Sequence, residues 1–498
     1  MGLVIRQSIV STIISYCGIA IGYINLLYLY PKFLDKEQIG LLRTIQDAAI
    51  LFTPFAQFGL AQSIVRYYPK LVSSRESSHS FISLMLMLAL AGFGVFFIVF
   101  KIFETSFLSY FEVNAPEIIG YSSLILWLTL ILLIIATLES YSRSLLKNTV
   151  PNLLREVVAR LFLGILVLLY FSGYISFHSF IISSAIAYLI CLVILIVYLT
   201  VQKDLQINFN LKGLNKSVLP DLIKYSLLSF AGTAGLIIIG KVDSLMVAAL
   251  LGLGANAIYT TAFYMATVIE VPKRALSQVA MPLIARAFER SDIQEIKKIY
   301  QKTSINQFII GALLLIGVWA NMNNIFQLMP KGEIFEVGKW VMIIVGFGKL
   351  IDMLFGPSSE IIVLSKYYGF NIILILLLAI SIIFANNELI PAYGINGAAF
   401  GAALALLFFN LIKFFFIWYT LKIQPFTLAT LKVMIIITLT VSLNYFIPVI
   451  DFVFLDIIVR SGSIAVVYTG LILLSKASPD GNDVFRKGLQ YLDFKRTK

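Results

Sequence analysis

The chain has 498 residues, of which 59% are hydrophobic and only 13% charged, with a mean hydropathy of +0.93. A soluble domain carries roughly 25% charge and about 45–50% apolar residues, and a water-exposed chain this greasy would show more apolar surface than folded proteins tolerate. The formal charge of +12 lies in short loops between apolar runs, with no basic stripe or stacking platform, so it argues for a chain oriented in a membrane and against a nucleic-acid binder.

A helix needs roughly 20 mostly apolar residues to cross the hydrocarbon core. Runs of that kind begin near Ser8, Ile39, Phe81, Ile118, Asn152, Phe177, Leu222, Asn256, Ile305, Gly338, Tyr367, Tyr393, Leu428 and Phe452. The sequence therefore predicts an all-α integral membrane protein of about fourteen transmembrane helices. The first run is too long for a signal-peptide core and reads as a retained span. Cys17 and Cys191 fall inside apolar runs, which predicts neither a disulfide nor a metal site. His79 and His178 stand at span edges as interfacial residues.

Every second loop is basic. Arg66, Lys70 and Arg75 open the series, followed by Arg143, Lys147 and Arg155, then Lys203, Lys212 and Lys216. Arg286, Arg290, Lys297, Lys298 and Lys302 continue it, and Lys476, Arg486, Lys487, Lys495, Arg496 and Lys498 end it. The intervening loops are acidic or bare. This asymmetry predicts both termini on the cytoplasmic side and an even number of spans. The C-terminal stretch from Asp483 to Lys498 suits either a basic surface helix or a solvated tail.

Two spans carry a proline in a polar setting, Pro54 and Pro272. With that pair as register, the small and polar stripe Ser8, Ser11, Ser15, Gly18, Gly22 and Asn25 of the first span maps onto Ser226, Ser229, Thr233, Leu236, Gly240 and Asp243 of the seventh. Arg6 maps onto Lys224. Both spans run in the same direction, which predicts a parallel repeat of six plus six helices followed by two additional ones. The corresponding segments are 1–203, 204–422 and 423–475, with a tail at 476–498. Halves related in this way build transporters with a site between them. Close helix packing alone would also explain the small residues, but not the carboxylate of Asp243. Paired proline kinks suit hinges for alternating access, and equally static bends.

Charges at membrane depth cost about 2.5–3.5 kcal/mol on insertion scales, so they face protein or water. The second span holds Arg43 and Asp47, the seventh Lys241 and Asp243, the eighth Glu270, Lys273 and Arg274, and the tenth Lys349, Asp352 and Glu360. Spacing allows Arg43 to pair with Asp47, Lys349 with Asp352, and Glu270 with Lys273 or Arg274 along single helix faces. Lys241 and Asp243, two apart, point to opposite sides. The pattern predicts a hydrated cleft between the halves. Its bases would suit a phosphorylated headgroup, and its acids a coupling proton or sodium ion. No nucleophile–base set, phosphate loop or metal-ligand spacing stands out, so no enzyme is expected. Asp35 and Glu37 read as an ordinary turn.

Three stretches carry a family resemblance: residues 29–68, with "FLDKEQIGLLRTIQDAA"; residues 224–272, with "GKVDSLMVAALLGLGANAIYTTAFY"; and residues 389–410, "LIPAYGINGAAFGAALALLFFN". Together they resemble the polysaccharide-transporter (Wzx-type) flippases of the multidrug/oligosaccharidyl-lipid/polysaccharide exporter superfamily. The resemblance implies two six-helix lobes around a V-shaped cavity, two extra C-terminal helices, and a location in the bacterial inner membrane. It further implies an undecaprenyl-diphosphate-linked glycan as substrate, and polysaccharide polymerase and chain-length machinery as partners.

The expected cavity cations are Arg6, Arg43, Lys241, Lys273, Arg274 and Lys349. Asp47, Asp243, Glu270, Asp352 and Glu360 are candidates for ion coupling, and Pro54 and Pro272 for hinges. Ser11, Ser15, Asn25, Ser229 and Thr233 are expected to line the cavity. No cofactor beyond a coupling H+ or Na+ is expected. A multidrug or cation antiporter of the same superfamily and a lipid II-type precursor flippase are the rival functions.

Overall fold

The computed structural model describes residues 2–72, 74–208, 218–478 and 481–483, with side chains from residue 10 onward except residue 12. Arg6, Ser8 and the basic C-terminal segment 484–498 thus lie outside the described side chains. Among the described residues every regular element is a helix. This is what a lipid environment demands, because each backbone amide must find its partner within its own segment.

All fourteen apolar runs are helical. Ten helices are long and apolar enough to cross a membrane, or twelve if each of two bent pairs forms one span. The shortfall from fourteen falls on two stretches. The fifth run is divided into Thr149–Leu153, a π-helical turn Leu154–Val158, and Ala159–Phe171. The eighth is divided into Leu253–Thr267, a 3-10 turn Val268–Glu270, and Val271–Glu289. The last of these carries Lys273, Arg274, Arg286 and Glu289, which lowers its apolar content.

Local chemistry sets the ends and breaks. Asp35 opens the second span with a capping box: its side chain accepts from the backbone, and Gln38 returns a bond to the Asp35 amide at 3.1 Å. Such caps contribute about 1 kcal/mol. Ser74 and Thr427 open the third and thirteenth spans in the same way. The second span bends by 44° between Lys36–Gln57 and Leu60–Leu71. Pro54 lies inside the first of these helices, and the bend itself falls at Phe58 and Gly59, both left-handed. A Cβ on Gly59 would overlap the Ser226 carbonyl oxygen, so close approach and backbone conformation both call for glycine here. Pro272 instead stands in the first turn of Val271–Glu289, where its missing N–H costs nothing. The tenth span bends by 48° between Lys339–Leu354 and Ser358–Leu364.

The chain folds as two compact units, Met1–Thr260 with Ile382–Ile395, and Thr261–Ser381 with Asn396–Lys498. The seventh span, Leu219–Leu251, therefore packs in the first unit, whereas the repeat places it at the head of the second half. Lipid is as apolar as leucine, so helices associate here through close packing and hydrogen bonds. In the first unit the second span touches the start of the eighth so closely that a Cβ on Gly40 would overlap the Leu253 carbonyl oxygen. Aromatic rings of Phe52, Phe96, Phe100 and Phe107 fill the space between the second and third spans. The core of the second unit centres on Ile305, Phe308, Ala312, Leu350, Ile464 and Tyr468.

Candidate functional site

The intramembrane charges pair mostly across helices. In the first unit Lys241 Nζ of the seventh span lies 2.5 Å from Asp47 Oδ1 of the second. Arg43, expected beside Asp47, instead places its guanidinium 5.9 Å from the Tyr30 ring, with Nε buried and without a partner. In the second unit Lys273 of the eighth span pairs with Asp352 of the tenth, and Lys349 Nζ lies 2.6 Å from Glu270 Oε2. Arg274, largely exposed, reaches Glu270 Oε1 at 3.4 Å. Of the same-helix pairs allowed by spacing, only Glu270 with Arg274 forms. Arg43 with Asp47 and Lys349 with Asp352 do not. An i, i+4 pair joins two positions on one helix surface, whereas a cross-helix pair neutralises both charges and also fastens two spans.

Asp243 differs from every other candidate acid. It is 4% exposed, and both its oxygens accept from neutral donors: Tyr259 Oη at 3.0 Å and Asn386 Nδ2 at 2.7 Å. Asn386 Oδ1 is buried beside it without a partner. The sequence predicts a hydrated Asp243, and the structure corrects this: the carboxylate is enclosed within the first unit. Next to it in the chain, Ser244 Oγ donates to Asn256 Oδ1 at 3.0 Å, and Asn256 Nδ2 donates to Thr44 Oγ1 at 2.8 Å. Lys241 and Asp243 do project to different partners, as their spacing requires.

The stripe of the first span is equally committed to neighbours. Asn25 Nδ2 donates to the Arg160 carbonyl at 2.7 Å, and the Ser11 carbonyl accepts from Asn152 Nδ2 at 3.2 Å and from Ser15 Oγ at 2.9 Å. A Cβ on Gly18 would stand 2.6 Å from the Glu156 carbonyl oxygen. Ser229 offers its carbonyl to Thr233 Oγ1 at 3.0 Å. Thr233 and Pro54 do line a cavity, one that lies wholly inside the first unit.

Three polar groupings lie outside the candidate set read from the sequence. Glu139, Arg155, Glu156 and Arg160 form a ladder in which Arg155 bonds Glu139 at 3.0 Å and Glu156 at 3.2 Å, while Arg160 bonds Glu156 at 2.9 Å. Lys413 of the twelfth span, 1% exposed, donates to Ser359 Oγ at 3.0 Å and lies 4.2 Å from the Phe409 ring centre. Glu360, next to Ser359 in the chain, makes no ion pair among the described residues. In the fourteenth span Asp456 takes both Nε and a terminal nitrogen of Arg460 at 2.9 Å, and Asn324 Nδ2 at 2.5 Å. Lys413 is legible in the sequence as a lone base among aromatics. Asn386 and Tyr259 offer no signal beyond being polar in apolar runs.

The fold is that of a multi-helix membrane protein with ion pairs between its helices, and solved structures share it. The Lipid II flippase MurJ in an inward closed conformation aligns with a TM-score of 0.74 at 15% identity, over 95% of this chain and 99% of that one. An inward-facing multidrug resistance MATE family transporter of the MOP superfamily aligns at 0.62 and 13% identity, over 84% and 98%. A MOP superfamily transporter from Pyrococcus furiosus, described as having a binding pocket of reversed polarity, aligns at 0.56 and 11% identity, over 84% and 95%. At these identities the likeness concerns the fold, which is that of MOP-superfamily transporters. No curated protein matches the chain in sequence. Residues 4–288, more than half of the chain, match the model of the polysaccharide biosynthesis protein family, and the chain belongs to that family.

Proposed function

We propose that the protein is a flippase that carries an undecaprenyl-diphosphate-linked oligosaccharide, a repeat unit of O-antigen, capsule or exopolysaccharide, across the bacterial inner membrane. The observation that carries this reading is the set of bases held at membrane depth on a transporter fold in a polysaccharide biosynthesis family. Arg43, whose Nε has no partner, and the exposed Arg274 are the cations with most capacity left for a diphosphate. Lys241, Lys273 and Lys349 already hold carboxylates and would bind only by exchanging them. Arg6 joins the set by its place at the edge of the first span. The tail of the substrate would stay in lipid while the glycan crosses by alternating access about the breaks near Pro54 and Pro272.

Coupling to an ion gradient would use Asp243. It is the one candidate acid whose described partners are all neutral, with the spare carbonyl oxygen of Asn386 beside it to complete an oxygen-lined site for H+ or Na+. Asp47, Glu270 and Asp352 are engaged by bases, and Glu360 remains a second candidate. Both termini would be cytoplasmic, and a polysaccharide polymerase with its chain-length machinery would take the product.

Arg43→Ala and Arg274→Ala are expected to abolish glycan export while the protein still inserts. Full export by both variants would overturn the reading. The likeness to a Lipid II flippase favours one rival, and rescue of peptidoglycan synthesis in cells depleted of their own precursor flippase would select it.

A further inference from the structure

Lys413, in the second unit, is a buried base that makes no ion pair among the described residues. Its ammonium has as partners the Ser359 hydroxyl at 3.0 Å and the Phe409 ring 4.2 Å away. An ammonium carries three donors, and one hydroxyl with a ring face is a poor substitute for water. Lysines are almost never fully buried unless a carboxylate is at hand to neutralise them. Of the charges acting on Lys413, that of Asp352 is the strongest, ahead of Lys273 and Glu360. Asn410, three residues earlier and so on the same helix face, also reaches Asp352. Asp352 is nonetheless paired with Lys273 of the eighth span. Two bases thus share one carboxylate, and one of them rests on a hydroxyl.

The hydroxyl and the carboxylate lie on opposite sides of the break in the tenth span. Asp352 belongs to Lys339–Leu354 and Ser359 to Ser358–Leu364, and the two limbs meet at 48° around Gly356, whose φ is +59°. Lysine suits a change of partner because its four-carbon stem is flexible. In the flippase reading Lys273 binds a diphosphate only by giving up Asp352, which strips the carboxylate of its base. Leaving one member of a buried pair alone is strongly destabilising. We propose that Lys413 is a positioning residue that takes over Asp352 when Lys273 turns to the substrate. Lys413 leaves Ser359 and neutralises the carboxylate, so Lys273 is released without stranding a charge. The role in substrate uptake rests on the flippase reading, whereas the exchange itself is a property of the three side chains.

A double-mutant cycle without substrate tests the exchange, read as the thermal midpoint of full-length protein in phosphatidylcholine nanodiscs. Lys273→Met and Lys413→Met each leave one base for Asp352. The double variant leaves none, so its midpoint should fall by at least about 2 °C more than the two single changes together. Adding Asp352→Asn should erase that excess. Additive changes, or an excess that survives Asp352→Asn, overturn the proposal. If the double variant fails to fold, recovery on adding Asp352→Asn supports the exchange, and continued failure overturns it. A binding measurement with undecaprenyl diphosphate then addresses uptake. Lys413→Met should bind this probe about tenfold more weakly than the parent, a loss of about 1.4 kcal/mol, and in Asp352→Asn protein the same change should alter nothing. A loss that persists there, or none in the parent background, overturns the role in uptake. Failure of the parent itself to bind the probe instead counts against the flippase reading and leaves the cycle to decide the exchange.

Discussion

The sequence register sets Asn25 and Asp243 at one position of the expected repeat, and their surroundings can be compared directly. Each sits in the first span of its half and bonds to the fifth span of that half: Asn25 to the Arg160 carbonyl, Asp243 to Asn386. Asn25 donates to a backbone carbonyl, whereas Asp243 accepts from a side-chain amide. Asn25 is a neutral amide, and it lies in a π-helical turn, Ile24–Leu29, against Gly164, whose Cβ would stand 2.9 Å from its Oδ1. Asp243 lies in an uninterrupted helix and requires a tyrosine as well as an amide to tolerate its charge. Asn25 joins two helices, and the pocket at Asp243 holds a carboxylate.

The sharpest break in the equivalence is Gly18, whose counterpart Leu236 is 58% exposed. Gly18→Leu should destabilise the protein by roughly 3 kcal/mol or more, because the obstacle is the backbone at Glu156 and cannot yield. Thermal unfolding in detergent measures it, and an unchanged midpoint would dissolve the contrast with Leu236. Asp243→Ala comes next, at about 2 kcal/mol, since Tyr259 and Asn386 each lose an acceptor while one buried charge is relieved. Asp243→Asn makes the two copies alike. Stability should move by less than about 1 kcal/mol, while gradient-driven export should fall at least about tenfold, or 1.4 kcal/mol; export at the parent rate would show that the charge serves no coupling role. The smallest effect is Asn25→Ala, about 1 kcal/mol in stability for a single hydrogen bond to a carbonyl.

The repeat is expected from residue types because glycine, serine and proline recur at helical spacing. Helical spans are legible as long apolar runs, and the stretches around Asp47 and Asp243 lie within the residues that match the family. Ion pairing is not legible. Spacing along one chain reveals neighbours on a single helix, so it matches Arg43 with Asp47, while Lys241, 194 positions away, leaves no trace of its claim. Arg155 reads in the sequence as a loop charge that sets orientation, yet it bonds Glu139 on the neighbouring span. Asn386 and Tyr259 become visible only when folding brings their spans to Asp243.

Lys413 carries a consequence for how the protein is made. Its span, Ile395–Leu421, must leave the translocon bearing a lysine within a run of phenylalanines, at an insertion cost of about 2.5–3.5 kcal/mol. Synthesis runs from the N-terminus, so Ser359, the hydroxyl that receives this lysine, emerges from the ribosome before it. The late helix can therefore enter the bilayer against a partner already waiting there, and the order of translation shelters the charge before the fold is complete.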